Sequence, residues 1–141
     1  MRELKFRKWN DIEKSFTWMK VNKRGGWDIT GDVYVDGNTN PWEQFTGLQD
    51  SEGNDIYEND IIEFTYWWFD GAERDTQLKG LIVYAKELLS FQLKGVKNKE
   101  WEQFTGCEEN NEYLTAFSEL RFTEDDFSII GNINENPELL K

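Results

Sequence analysis

Hydrophobic and polar residues alternate with a period of two along much of the chain. The segment LKFRKW at 4–9 places Leu4 and Phe6 on one side and Lys5 and Arg7 on the other. Residues two positions apart lie on the same face of a β-strand. The alternation therefore predicts a half-buried strand whose inward side carries Leu4 and Phe6.

Further strands are predicted from the same alternation and from runs of β-branched and aromatic residues. They cover residues 16–21, 32–36, 60–69, 78–85, 88–94 and 126–133. In the 88–94 strand, Leu89, Phe91 and Leu93 are predicted to point inward. Residues 112–122 fit either a short helix or a strand. These short strands predict a mainly β fold, either a small twisted β-barrel or a bent antiparallel sheet with short helical segments.

Turn-forming residues separate the predicted strands. Glu52, Gly53 and Asn54 are typical of a hairpin turn, and the polar stretch 70–76 is predicted to interrupt two strands. Near the C-terminus, the sequence NENPELL at 134–140 predicts a single helical turn. In that turn an asparagine is the N-cap and a proline takes the first position.

The hexapeptide WEQFTG occurs twice, at 42–47 and at 101–106. The residues that flank the two copies differ, so the repeat does not indicate a duplicated domain. We interpret each copy as a short extended segment that ends at its Thr-Gly pair, where the glycine provides a turn or a bulge. Phe45 and Phe104 are then both predicted to be buried. The alternative is a linear binding motif used twice, with its aromatic residues as anchors.

Length and composition set the limits of this fold. At 141 residues, with 38% hydrophobic residues and seven tryptophans, the chain is predicted to fold as one domain spanning 1–141. The single cysteine, Cys107, cannot form an internal disulfide, and no segment approaches the ~20 apolar residues of a membrane helix. The N-terminal residues lack the apolar run of a secretory signal, so we expect a cytoplasmic protein without membrane partners.

Charge is divided unevenly along the chain. Residues 1–27 carry eight Lys and Arg against three acids, whereas residues 28–141 carry eight against 25, which together give the net charge of −12. We expect the basic N-terminal strand to lie against the acidic remainder. Nucleic acid is not expected as a partner, because binding it depends on neutralising phosphates with Lys and Arg. An acidic body suits a basic protein partner better.

Few residues in the sequence offer chemistry. The chain has no histidine, and Cys107 is followed by two glutamates, whose charges disfavour a reactive thiolate. The acidic stretch that begins at Asp50 gathers oxygen ligands but fails the EF-hand spacing. Its sixth position is Asp55 rather than glycine, and its twelfth is Ile61 rather than glutamate. We therefore expect no catalytic residue, no cofactor and no metal.

Tryptophans are the remaining candidates for an interaction surface. Trp67 and Trp68 are adjacent in the predicted 60–69 strand, so their side chains point to opposite faces. Either another part of the chain covers both, or one of them meets a partner, since tryptophan is enriched at interface hot spots. Trp42 and Trp101, one from each hexapeptide, complete the set of candidate interaction residues. Association into a homo-oligomer stays open.

Three segments, MRELKFRKW at 1–9, FTGLQDSEGNDIYENDIIEF at 45–64 and IGNINENPELL at 130–140, together resemble the YopX family of small phage and prophage proteins. The positions that match the central family motif are Thr46, Gly47, Leu48, Asp50, Gly53, Ile56, Tyr57, Glu58, Asp60 and Ile61. Two positions differ, because Asn59 stands where the family usually has glycine and Asn134 where it usually has tyrosine. Asparagine tolerates a left-handed backbone, so the same turn is expected at Asn59.

The resemblance implies a phage or prophage protein and supplies no catalytic or ligand-binding residues. We therefore expect a non-enzymatic accessory protein that acts by protein–protein contact with a host or phage protein in the bacterial cytoplasm. Two alternatives stay open. One is an acidic decoy that imitates DNA and occupies a host DNA-binding protein. The other is a small carboxylate-based enzyme or carbohydrate binder.

Overall fold

Two antiparallel β-sheets make up most of the described fold. The structure, a computed structural model, describes residues 3–31, 40–69, 71–86, 89–95 and 127–140. The first sheet has the strand order β3-β2-β1-β4-β5 and the second the order β8-β7-β6-β9. The first contains β1 (Lys5–Asn10), β2 (Ser15–Val21), β3 (Trp27–Thr30), β4 (Trp42–Gln49) and β5 (Asp55–Tyr57). The second contains β6 (Asp60–Phe69), β7 (Glu73–Ala85), β8 (Ser90–Gly95) and β9 (Phe127–Asn132).

The chain passes from the first sheet to the second at a tight turn between β5 and β6. Asn59 in this turn has a φ of 66°, the left-handed backbone that was predicted for it. Its N–H donates to the carbonyl of Ile82 on β7 at 2.8 Å, and its own carbonyl accepts from Ile133 after β9 at 2.9 Å. The turn therefore ties the start of β6 to both neighbouring parts of the second sheet.

The predicted mainly β class is confirmed, and the strands form open antiparallel sheets. β6 pairs with β7 and β9, while β5 pairs with β4, so the strands on either side of the crossing turn belong to different sheets. Within the described ranges the strands do not close into a barrel. The C-terminal helical turn is also confirmed, as a 3₁₀ turn at Pro137–Leu140 in which the carbonyl of Asn136 accepts from the N–H of Leu139 at 3.1 Å.

An apolar core fills the inner side of the second sheet. Phe64 on β6 and Phe127 on β9 meet edge to face with ring centroids 6.2 Å apart, and both are almost fully buried. Leu93 packs over Gly80, where an added Cβ would lie 2.4 Å from the leucine Cδ1. The buried cluster consists of Ile56, Ile62, Phe64, Leu78, Ile82, Leu93 and Phe127. Because Ile56 belongs to β5, the core extends from the second sheet to the first.

The predicted facing of β1 is wrong. Leu4 is 45% exposed and precedes the strand, whereas Arg7 is 4% exposed and points inward. The alternation correctly groups the residues that share a face of the strand. Hydrophobicity alone, however, predicts that the face with Phe6 points inward, whereas the face with Arg7 does. A charged face can be buried when carboxylates from other strands compensate it.

The first hexapeptide lies on β4. Phe45 is 5% exposed and Glu43 is 4% exposed, so the predicted burial of Phe45 is confirmed. Gly47 has a φ of 92°, and the register of β4 with β5 shifts between Phe45 and Gln49, which indicates a bulge. The strand nevertheless continues to Gln49, so the prediction that the Thr-Gly pair ends it is wrong.

Several strand predictions hold with altered limits. β6 has the predicted span, and β9 lies within the predicted one. β7 begins at Glu73, inside the stretch that was predicted to interrupt it. Leu89 is 80% exposed rather than inward, because it lies in the turn before β8 with a φ of 51°. The predictions for 32–36, 101–106 and 112–122 lie outside the described residues.

Candidate functional site

Arg7 is a buried cation at the centre of the first sheet. β1 lies between β2 and β4, and the register places Arg7 directly opposite Trp18 on one side and Glu43 on the other. Oppositely charged residues that face each other across strands attract. The strand pairing itself therefore supplies the first carboxylate for the guanidinium.

Arg7 donates hydrogen bonds to three acceptors. Nε donates to Oε1 of Glu43 at 2.7 Å, while Nη2 donates to Oδ1 of Asp60 at 2.8 Å and to the carbonyl oxygen of Glu58 at 3.1 Å. Hydrogen bonds between charged groups are roughly twice as strong as those between neutral groups. Because Glu43 lies on β4 and Asp60 begins β6, the guanidinium joins the two sheets.

Two aromatic rings enclose the same guanidinium. Its central carbon lies 4.4 Å from the ring centroid of Phe16 and 4.8 Å from that of Tyr57. A planar guanidinium is weakly hydrated and stacks well on aromatic faces, which lowers the cost of removing it from water. A lysine at this position would keep the charge but lose the planar stacking and the directed hydrogen bonds.

Further donors satisfy the two carboxylates. Oε2 of Glu43 accepts from Nδ2 of Asn59 at 2.6 Å and from Nδ2 of Asn134 at 3.3 Å. Oδ2 of Asp60 accepts from the N–H of Tyr57 at 2.8 Å. Buried charges are tolerated when such hydrogen bonds use their lone pairs. We call Arg7, Glu43, Asn59, Asp60 and Asn134 the Arg7 cluster.

Burial changes the acid–base behaviour of the cluster. It raises the pKa of Asp60 to about 6, although the guanidinium of Arg7 and the N–H of Tyr57 act in the opposite direction. Burial also raises the pKa of Glu58, and the charge of Glu43 adds to the effect. A carboxyl group with a raised pKa suits acid catalysis. However, Glu43 and Asp60 are 4% and 2% exposed and both bind Arg7, so neither is open to a substrate in this arrangement.

The acidic stretch after β4 forms a capped turn. Oδ1 of Asp50 accepts from the N–H groups of Glu52 at 3.0 Å and Asn54 at 2.9 Å, and Oδ2 accepts from the N–H of Ile129 at 3.3 Å. Burial acts to raise the pKa of Asp50, but these hydrogen bonds outweigh it and lower the pKa overall. Gly53 has a φ of 84°, which confirms the predicted turn. Among the residues that the structure describes, no three metal-binding side chains gather.

Of the four candidate tryptophans, the structure places one side chain. Trp42 is half-buried on β4. Trp67 and Trp68 lie on β6, but their side chains are outside the description, as is the whole of Trp101. Trp27, which is not among these four candidates, is 48% exposed on β3. The sequence indicates the exposed strand position of Trp27 only weakly, because β3 has four residues, too few to establish an alternation of hydrophobic and polar positions.

The outward side of the first sheet is apolar and exposed. The register places Phe6 opposite Met19, Met19 opposite Ile29, and Val21 opposite Trp27, and residues opposite each other share a face. Val21, Trp27 and Ile29 are 40%, 48% and 49% exposed. The rings of Phe6 and Trp27 are in contact, with centroids 5.9 Å apart. We call Phe6, Met19, Val21, Trp27 and Ile29 the outer face.

The outer face continues through Lys8 on β1 to Trp42 on β4. They lie directly opposite each other, and Nζ of Lys8 is 5.9 Å from the ring centroid of Trp42. From β1 to β4 as far as Thr46, the residues on this side include no carboxylate. Over these strands the charged side chain on this side is therefore the cation Lys8, although the chain has a net charge of −12.

Comparison with known proteins places these features in a family. A family model described as "YopX protein" matches residues 5–141. The chain belongs to the YopX family. A solved structure similar to this YopX chain is protein EF1440 from Enterococcus faecalis, which is 23% identical with a TM-score of 0.53, and the similarity covers 100% of both chains. At that identity the likeness shows the fold alone. The curated proteins include no match to the chain.

The three YopX-like segments of the sequence meet at the Arg7 cluster. Arg7 comes from the first segment, Asn59 and Asp60 from the central one, and Asn134 from the closing one. The two asparagines that depart from the family pattern are also the two that donate to Glu43. The motifs therefore mark the contacts that assemble the two sheets.

We expect Asn59→Gly to lower the free energy of unfolding by about 1 kcal/mol. Glycine relieves only part of the roughly 1–2 kcal/mol that a left-handed backbone costs most residues, because asparagine tolerates it, and removes a hydrogen bond to a charged group, worth about 1.5–3 kcal/mol. Asn59→Ala should cost more, because it loses the bond and keeps the strain. Urea unfolding of the three proteins measures both values. A glycine variant more stable than the parent would show that the bond to Glu43 contributes little.

Asp60 should make stability depend on pH. Burial raises its pKa from 3.8 to about 6, so between these values the native state holds a proton that the unfolded state has released. The contribution of Asp60 to stability therefore falls as pH rises from about 4 to about 6. We expect the difference in unfolding free energy between the parent and Asp60→Asn to shrink over that range. A difference that grows with pH would show that Arg7 outweighs burial and holds the pKa low.

Proposed function

We propose that this protein is a non-enzymatic phage or prophage accessory protein that binds another protein in the bacterial cytoplasm. The observation that carries the proposal is the outer face. It is a broad apolar side of a sheet with Trp27 and Ile29 about half exposed. Exposed apolar patches on a folded protein are typical of interaction sites, and tryptophan is enriched where binding energy concentrates.

The charge of the outer face indicates the kind of partner. Lys8 is its charged residue, and Lys23 and Arg24 lie in the turn that joins β2 to β3 at one end. A partner surface with apolar residues and surrounding carboxylates complements this arrangement. A second copy of the chain fits less well, because two molecules of net charge −12 repel each other.

Two observations weigh against the alternatives. Three carboxylates between β4 and β6 make internal contacts: Glu43 and Asp60 bind Arg7, and Asp55 binds Lys5 at 2.9 Å. A DNA mimic needs such groups arrayed on its surface instead. An enzyme needs them in an open cleft, whereas Glu43 and Asp60 are closed off.

The structure describes no helix that is long and apolar enough to cross a membrane.

The double variant Trp27→Ser with Ile29→Ser tests the proposal. Each side chain is about half exposed, so we expect the thermal midpoint to change by no more than a few degrees. Affinity purification from infected or lysogenic cells identifies the partner, which is then purified and titrated by calorimetry. We expect the double variant to bind it at least about tenfold more weakly.

Ile12→Ser is the matched control, because Ile12 is 73% exposed but lies in the turn between β1 and β2, away from the outer face. It should bind like the parent. Equal loss of binding in both variants, or unchanged binding in the double variant, would contradict a role for the outer face. Turnover in a hydrolase panel that a carboxylate variant abolishes would contradict the non-enzymatic assignment.

A further inference from the structure

A crevice opens between the two sheets, where β4 and β5 of the first sheet border β7 and β8 of the second. It has a volume of about 620 Å³, within the range of pockets that hold ligands. Ile56 on β5 and Ile82 on β7 form its apolar floor, and both are almost fully buried. Tyr84 and Phe91 form an aromatic wall, with ring centroids 5.5 Å apart.

Leu89 lies at the mouth of this crevice, in a left-handed turn conformation that is unfavourable for leucine. Its φ is 51°, in the left-handed region, which costs a residue other than glycine roughly 1–2 kcal/mol. Its side chain is 80% exposed, so burial returns little of that cost. Asparagine or glycine would form the same turn with less strain. An exposed leucine at this position offers an apolar contact to a bound molecule.

Glu58 supplies the charge of the crevice. It is the charged residue among those that line it. Its Oε1 accepts the N–H of Gln44 at 2.9 Å, which fixes the carboxylate against the wall of β4. Its Oε2 has no hydrogen-bond partner in the described part of the chain. A half-buried carboxylate of this kind is stabilised by an incoming cation.

We propose that the crevice binds a segment of a partner protein in which a Lys or Arg side chain adjoins an apolar residue. The cation pairs with Glu58, and the exposed face of Tyr84 offers it a cation–π contact. The apolar neighbour packs against Leu89 and the isoleucine floor. None of the five residues of the outer face lines this crevice, and its charged residue is an acid rather than a lysine, so the site does not depend on the function proposed above.

Three synthetic pentapeptides, capped at both ends, test this specificity. They share the sequence Gly-Leu-Xaa-Leu-Gly and differ only in the central residue, which is Arg, Gln or Glu. Binding to the full chain is measured by ¹⁵N chemical-shift perturbation. The Arg peptide should shift the amides of Glu58, Tyr84 and Leu89. The Gln peptide should bind about tenfold more weakly, and the Glu peptide more weakly still.

Two variants separate the contributions of charge and apolar contact. Glu58→Gln keeps the acceptor for Gln44 and should abolish the preference for Arg over Gln. Leu89→Asn keeps the left-handed turn, so the thermal midpoint should not fall, but all three peptides should bind about tenfold more weakly. Ile12→Asn, which removes an exposed apolar side chain elsewhere, should bind like the parent.

Three outcomes would overturn the proposal. One is the absence of shifts at the crevice with the Arg peptide. A second is equal affinity for the Arg and Gln peptides in the parent protein. The third is a concentration-dependent dimer that Leu89→Asn dissociates, because the occupant would then be a second copy of the chain. None of these outcomes bears on binding at the outer face.

Discussion

The fold depends on a single buried guanidinium. Arg7 reaches from the central strand of the first sheet to Glu43 in that sheet and to Asp60 at the start of the second, and two aromatic rings contact its guanidinium. Removing such charges from water is expensive, and the cost is offset only when every group finds partners in good geometry. This requirement fixes where β1, β4 and β6 lie relative to one another.

The same requirement explains why distant parts of the chain converge. Glu43 draws Asn59 from the crossing turn and Asn134 from the segment after β9, a contact that spans 91 positions. Lys5 adds an ion pair with Asp55 on β5, so the basic N-terminal strand lies against the acidic remainder as its charge predicts. These inward-facing side chains thereby hold the two sheets of the fold together. The outer face and the exposed Leu89 at the mouth of the crevice lie outside these contacts.

Local pattern predicted much of this architecture. β6 has the predicted bounds because eight of its ten residues are β-branched or aromatic, types that favour a strand, and the left-handed turn at Asn59 follows from backbone preference alone. Leu89 was misplaced because the alternation could not show that β8 begins two residues later than predicted, at Ser90. Arg7 was misplaced because burial of a cation depends on Glu43 and Asp60, 36 and 53 positions away. A periodic pattern of hydrophobic and polar residues does not indicate contacts between residues so far apart in the chain.

The candidate surfaces were predicted less well for a related reason. Trp42 was selected for its residue type, and it does border the outer face beside Lys8. The outer face itself depends on the pairing of β2 with the short β3, which brings Val21 and Trp27 together. The crevice depends on how two sheets stack, so Glu58 and Tyr84 come together only in the folded chain.

Replacement of Arg7 by methionine tests the central claim most directly, with Lys8→Met as the matched control on the opposite side of the same strand. The free energy of unfolding, measured in urea, should fall by about 3–5 kcal/mol for Arg7→Met, because two buried carboxylates lose their cation. The control should change it by no more than about 0.5 kcal/mol. Adding Glu43→Gln and Asp60→Asn to Arg7→Met should restore part of the loss. If Arg7→Met costs no more than Lys8→Met, the buried guanidinium does not hold the two sheets together.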